Sequence, residues 1–159
     1  MTKVVIFGNS GSGKSTLARK FKTSKSLAHL DLDTVAWLPT NPPTRMAVCD
    51  SQSQINEFIN GNDSWVIEGC YADLIELILP YADQIFFLNL PIVDCIENAR
   101  KRPWEPHKYD SKEAQDANLA MLIDWIEQYD QRNDSFSKQA HELLFDTFQG
   151  EKTMLTSNT

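Results

Sequence analysis

The residues with the clearest chemical potential stand near the start of the chain. Gly8-Asn9-Ser10-Gly11-Ser12-Gly13-Lys14-Ser15-Thr16 contains the full pattern G-x-x-x-x-G-K-[ST], from Gly8 to Ser15. Glycines at 8, 11 and 13 allow the backbone to turn with its N–H groups inward, because no Cβ blocks a positive φ or a close approach. A helix starting near Lys14 adds its own free N–H groups, and together they form a nest for phosphates. Lys14 can then reach the β- and γ-phosphates of a nucleotide, and the Ser15 hydroxyl can ligate Mg²⁺. A glycine-rich turn alone would lack the flanking context found here: apolar Val4-Val5-Ile6-Phe7 before the loop, and Leu17, Ala18 and Phe21 at helical spacing after it.

Carboxylates supply the next candidates. Asp31 and Asp33 close the run Ala28-His29-Leu30-Asp31-Leu32-Asp33. If that strand stays extended they share one side, so one can serve a metal while the other orients or deprotonates an acceptor hydroxyl. A solvated strand end that caps the next turn is the competing reading. Glu68 ends Trp65-Val66-Ile67-Glu68-Gly69 and resembles a Walker B acid, able to hold a metal-bound water or contact an acceptor. Arg100 and Arg102 end a helix, where they could meet phosphate or simply answer the helix macrodipole. Arg45, in a proline-rich segment, could bind an anionic acceptor or be solvated. His29 and His141 read as packed residues, Trp65, Trp125 and the phenylalanines Phe86 and Phe87 as core, and Asn89 as structural.

Alternating elements must position these groups. Helices are expected from Lys14 to about Lys22, from a Ser51 or Ser53 cap to Gly61, over Tyr71 to Leu79, after Pro91, from near Ser111, and around Phe136 to Phe148. Strands are expected at the start, at Ala28–Asp33, Trp65–Gly69, Gln84–Leu90 and Lys152–Thr156. Strands alternating with helices give an α/β fold, a parallel sheet with helices on both faces. Ligands of such sheets bind at the carboxyl ends of the strands. That rule gathers the glycine loop, Asp31/Asp33, Glu68-Gly69-Cys70, Asn89 and Thr156-Ser157-Asn158 into one neighbourhood.

At 159 residues the chain suits a single domain spanning 1–159. No apolar run approaches the ~20 residues of a membrane span, and the chain enters a strand at once, so a cytoplasmic protein without membrane partners is expected. A net charge of −7 makes nucleic acid an unfavoured partner. The three scattered cysteines form no C-x-x-C pair, so reduced thiols are expected and zinc is not.

With the loop, the D-x-D and the Arg-bearing segment in place, the chain resembles the small P-loop kinases over its whole length. It looks most similar to the shikimate-kinase-like, adenylate-kinase-like or DNA topology modulation protein group, through Gly8–Thr16, Leu30–Asp33, Trp65–Tyr71 and Arg102–Tyr109. The resemblance implies a three-layer P-loop NTPase fold with strand order 2-3-1-4-5, an acceptor-binding segment at about 34–62 and a lid at about 100–112. It implies ATP and Mg²⁺ as cofactors and a small-molecule acceptor. It places Ser15, Asp31 and Glu68 at the metal, Asp33 at the acceptor hydroxyl with Arg45 and Gly69 nearby, and Arg100 and Arg102 over the phosphates beside Lys14. Ser157 and Asn158 would pack the adenine. ATP is preferred to GTP because no N-K-x-D signature occurs. Cys70 stands where shikimate kinases carry glycine, so shikimate itself is not the expected acceptor. The competing function is an ATPase or nucleotide-dependent regulatory switch, and a nucleic-acid modulator ranks below both. Oligomeric state is left open.

Overall fold

The computed structural model describes residues 1–159. The chain begins with β1 (Lys3–Gly8), α1 (Lys14–Lys25), β2 (Ala28–Asp31), β3 (Trp37–Leu38) and β4 (Thr44–Arg45). It continues with α2 (Val48–Asn60), β5 (Trp65–Gly69), α3 (Ala72–Ile78), β6 (Gln84–Leu88) and α4 (Ile92–Lys101). The last elements are α5 (Lys112–Ala117), α6 (Leu119–Glu127), α7 (Lys138–Thr147) and β7 (Glu151–Leu155).

Five strands form one parallel sheet in the order β2-β5-β1-β6-β7. Counting the strands of that sheet alone, this is the expected 2-3-1-4-5. The most apolar strand segments take the middle, where both faces are covered. Val5, Phe7 and Ile67 point to one face and pack with Ile55 of α2, Leu74 and Ile75 of α3 and Leu144 of α7. Their neighbours Val4, Ile6 and Val66 point to the other and pack with Ala18 of α1, Cys95 and Ala99 of α4 and Ile126 of α6. Phe7 stacks on Phe87 with ring centroids 5.2 Å apart. Burying one such side chain contributes about 1.5–3 kcal/mol. No helix is long and apolar enough to cross a membrane.

Several local expectations need correction. β2 stops at Asp31, whose carboxylate accepts the Asp33 N–H at 2.9 Å and turns the chain into a short 3₁₀ helix over Leu32–Thr34. The proline-rich stretch forms a two-stranded antiparallel hairpin, β3–β4. α2 starts at Val48 with no side-chain cap. Ser51 is instead buried inside it, and its hydroxyl donates to the Val35 carbonyl at 2.7 Å. The long helix expected from Ser111 breaks at Asn118 into α5 and α6. Asn118 donates its side-chain amide to the Tyr109 hydroxyl at 2.9 Å, tying the break to the preceding loop. Trp125 is half-buried rather than core, with the Arg132 guanidinium 3.4 Å above its ring.

Candidate functional site

The glycine loop joins β1 to α1 at the carboxyl edge of the sheet. Gly13 has φ +93° and Gly11 φ +77°, a region that side-chain-bearing residues rarely adopt. A Cβ on Gly11 would also run into the Cys95 carbonyl of α4. Lys14 Nζ donates to the Asn9 carbonyl at 2.7 Å, an interaction that holds the ammonium across the mouth of the loop. Asn9 itself is buried and donates to the Ile126 carbonyl, and Ser12 is buried behind the loop. Ser10, Gly11, Gly13, Lys14, Ser15 and Thr16 line a cleft of about 740 Å³. Gly8 lies behind them, paired with Leu88 in the sheet.

Facing the loop is a network of acids. Ser15 Oγ donates to Glu68 Oε2 at 2.6 Å, and the same oxygen lies 3.3 Å from His29 Nε2. Glu68 is almost wholly buried and pairs in register with Asp31 across β5 and β2. Lys108, from the loop after α4, sets its ammonium 2.7 Å from Asp33 Oδ2 and 3.2 Å from Asp31 Oδ2. The Tyr71 hydroxyl donates to the other Asp33 oxygen and accepts from Trp37 Nε1 at 2.8 Å. Burial alone would push the Asp33 carboxyl up, but the Lys108 ammonium and its hydrogen bond, with that of Tyr71, hold it below the usual carboxylate range. Asp31 moves the other way, raised first by burial and then by the charges of Glu68 and Asp33. Burial also works against the Lys108 charge, yet Asp33 and Asp31 outweigh it and raise its pKa. Burial keeps Tyr71 a phenol far into the alkaline range, so it serves Asp33 as a donor.

The predicted residues divide by position. The cleft brings together the loop with Asp33, Glu68, Gly69, Arg102, Ser157 and Asn158. Asp31 sits behind Asp33, and because β2 has ended the pair is joined through Lys108 rather than by strand alternation. Two arginines are not where they were expected. Arg100 points away from the cleft and forms an exposed i,i+3 pair with Glu97 at 3.3 Å; Lys101 and Arg102 line the cleft instead. Arg45 also stays outside, its guanidinium paired with Asp73 at 3.2 Å and stacked 4.9 Å from the Tyr71 ring and 5.5 Å from Phe136. Gly69 lines the cleft, but its lack of a side chain is set by packing: a Cβ there would lie 2.8 Å from Leu32 Cβ. Asn158 spends its amide on the glycine loop, donating to the Ser12 carbonyl at 3.0 Å. His141, read as packed, is fully buried between the Tyr129 hydroxyl and the Cys70 carbonyl at 2.7 and 2.8 Å, and burial lowers its pKa to about 4.

No protein-family model matches the sequence, and no curated protein matches it. Solved structures do match. A shikimate kinase from Bacteroides thetaiotaomicron aligns with a TM-score of 0.50 at 14% identity, over 91% of this chain and 97% of its own. A deoxyadenosine kinase from M. mycoides with bound dATP aligns with a TM-score of 0.50 at 10% identity, over 98% and 91%. A sugar kinase from Janibacter sp. aligns with a TM-score of 0.53 at 13% identity, over 98% and 86%. The fold is that of the P-loop kinases. At these identities the likeness carries the architecture and leaves the acceptor open.

Within this P-loop kinase fold, the charge of the cleft suits polyanions. Lys14, Arg19, Lys20, Lys101, Arg102 and Lys108 line it against Asp33, Glu68 and Glu105, although the whole chain carries −7. No three His, Cys, Asp or Glu side chains are grouped to hold a metal by themselves. Mg²⁺ needs no such cage, since it keeps several waters and takes one or two protein oxygens beside phosphates. The Ser15 hydroxyl with Glu68 at 2.6 Å offers such a hard-oxygen set. Asp31 offers less, because the Asp33 N–H and Lys108 engage both of its oxygens.

The sequence gives no signal for the contact of Tyr71 with Asp33; it offers Lys108 for contact with substrate or phosphate without singling it out, and Trp37 as a loop anchor or a cover over the acceptor. Tyr71 follows Cys70 two residues past Gly69, and that closeness to a strand end points to the cleft without naming a partner. Lys108 lay in a stretch whose individual residues had no pattern to separate them.

Proposed function

We propose that this chain is an ATP-dependent kinase that uses Mg²⁺ and phosphorylates a hydroxyl of a small molecule. The observation that carries the reading is one cleft in which the phosphate loop faces Asp33 beneath a basic lid that reaches it through Lys108. Lys14, released from the Asn9 carbonyl, neutralises the β- and γ-phosphates, and Arg102 and Lys101 close over them. Asp33 receives the acceptor hydroxyl proton as the acceptor oxygen attacks the γ-phosphorus and the bond to the bridging oxygen breaks, leaving ADP. Tyr71, donating to Asp33 Oδ1, keeps that carboxylate ionised and turned so that Oδ2 meets the acceptor once Lys108 swings off it. Ser15 and Glu68 would hold Mg²⁺, which adds charge neutralisation on the phosphates when bound.

Incubation with γ-labelled ATP and a panel of small alcohols, sugars, nucleosides and hydroxy acids tests the proposal. Label is expected on at least one acceptor, and Lys14→Ala is expected to abolish it. ATP binding without transfer to any acceptor contradicts the reading.

A further inference from the structure

Two side-chain amides at the rim of the cleft brace the glycine loop. Asn98, on α4, donates from Nδ2 to the Gly11 carbonyl at 2.8 Å and to Asn158 Oδ1 at 2.7 Å. Asn158, beyond β7, donates from its own Nδ2 to the Ser12 carbonyl at 3.0 Å. A carbonyl accepts only from a donor, so both amide nitrogens must face the loop, and Asn158 is left with its oxygen toward Asn98. The pair therefore forms one connected unit clamped on two successive peptides.

A planar trans peptide points its C=O and the following N–H in opposite directions. With the Gly11 carbonyl held by Asn98, the Ser12 N–H on the other side of that peptide closes the loop on the Asn9 carbonyl at 3.2 Å. The Ser12 carbonyl, held by Asn158, sets the Gly13 N–H on the opposite side of the same peptide, and Gly13 lines the cleft. The fit is close, since a Cβ on Gly13 would lie 2.8 Å from Asn158 Nδ2. Preorganised donors of this kind need no reorganisation when charge arrives.

We propose that Asn98 and Asn158 are positioning residues for the phosphate cradle: together they fix the Gly11–Ser12 and Ser12–Gly13 peptides so that the Gly13 N–H is presented to a nucleotide's phosphates. The inference rests on the nucleotide reading of the cleft. It assigns Asn158 to the loop rather than to the adenine, and it makes α4, which leads directly into the lid, part of the cradle's frame.

The test is competition binding of ATP and of inorganic tripolyphosphate, which has no base, to the wild-type chain, Asn98→Ala, Asn158→Ala and the double variant. Thermal unfolding without ligand first confirms that each is folded. Both ligands are expected to weaken by the same factor, about fivefold to tenfold for a lost hydrogen bond. Asn98→Ala should be at least as damaging as Asn158→Ala, and the double variant no worse than Asn98→Ala, because the two act as one unit. Unchanged affinity for both ligands overturns the proposal, as does weakened ATP with unchanged tripolyphosphate, which would put Asn158 at the base. Should Asn98→Ala fail to fold, Asn158→Ala on the exposed tail decides alone. A wild-type chain that binds neither ligand overturns both this proposal and the nucleotide reading.

Discussion

At the residue scale, the reactivity of the cleft turns on how Asp33 is held. Its two oxygens have different partners, Tyr71 on one and Lys108, from the loop after α4, on the other. Asp33→Asn is therefore expected to lower kcat by about 10²–10⁴-fold, the usual range for a lost general base, while nucleotide affinity changes little. Steady-state kinetics with separate nucleotide titration would show it. Lys108→Met has a different signature. The ammonium is the main group, with the Tyr71 hydrogen bond and Lys14, that offsets burial and keeps the Asp33 carboxyl low, so without it the carboxyl rises and must lose its proton at higher pH. The acid limb of the kcat/KM profile is expected to move to higher pH. An acid limb that stays in place would mean that Lys108 does not govern Asp33.

At the element scale, the junction of β2, β5 and the 3₁₀ turn decides where Asp33 points. Gly69 leaves room for Leu32, the first residue of that turn, so Gly69→Ala should cost about 1–3 kcal/mol through overpacking and displace Asp33 with it. Chemical denaturation and kcat would both register the change. Much of this scale was readable in the chain. Val4 to Phe7 and Ile85 to Leu88 announce strands because every residue within each run is apolar, and the glycine loop announces its own helix. What escaped was decided by side-chain partners, some two or three residues away and some distant in sequence. The strand expected to run through Asp33 stops early because the Asp31 carboxylate bonds the Asp33 N–H, a local competition between side chain and ladder. Ser51 looks like a cap in sequence, yet its hydroxyl serves Val35, sixteen positions away. Arg45 and Arg100 are equivalent as isolated cations, and only Asp73 and Glu97 reveal that both face elsewhere.

At the scale of the whole molecule, the sheet presents five strand ends to one cleft and joins α7 to that edge through His141. The imidazole is buried, donating to the Cys70 carbonyl and accepting from Tyr129. Its pKa is near 6.5 when unfolded and about 4 when folded. Between those values the unfolded chain binds the extra proton, so stability is full above pH 6.5 and falls as pH drops toward 4. Unfolding free energies from urea titration are expected to be about 2 kcal/mol lower at pH 5 than at pH 7 from this group. Equal values, or a rise on acidification, would contradict the neutral buried imidazole.

The proposed reaction delivers the γ-phosphoryl group to a small molecule rather than to water. The most direct measurement compares initial rates of ADP release from ATP with and without a mixture of small hydroxyl compounds, for the wild-type chain and Asp33→Asn. Slow release is expected without acceptor, with a marked rise on adding acceptor, label on a small molecule, and loss of that rise in Asp33→Asn. Fast release without acceptor, unaffected by acceptor and by Asp33→Asn, would contradict the proposed reaction.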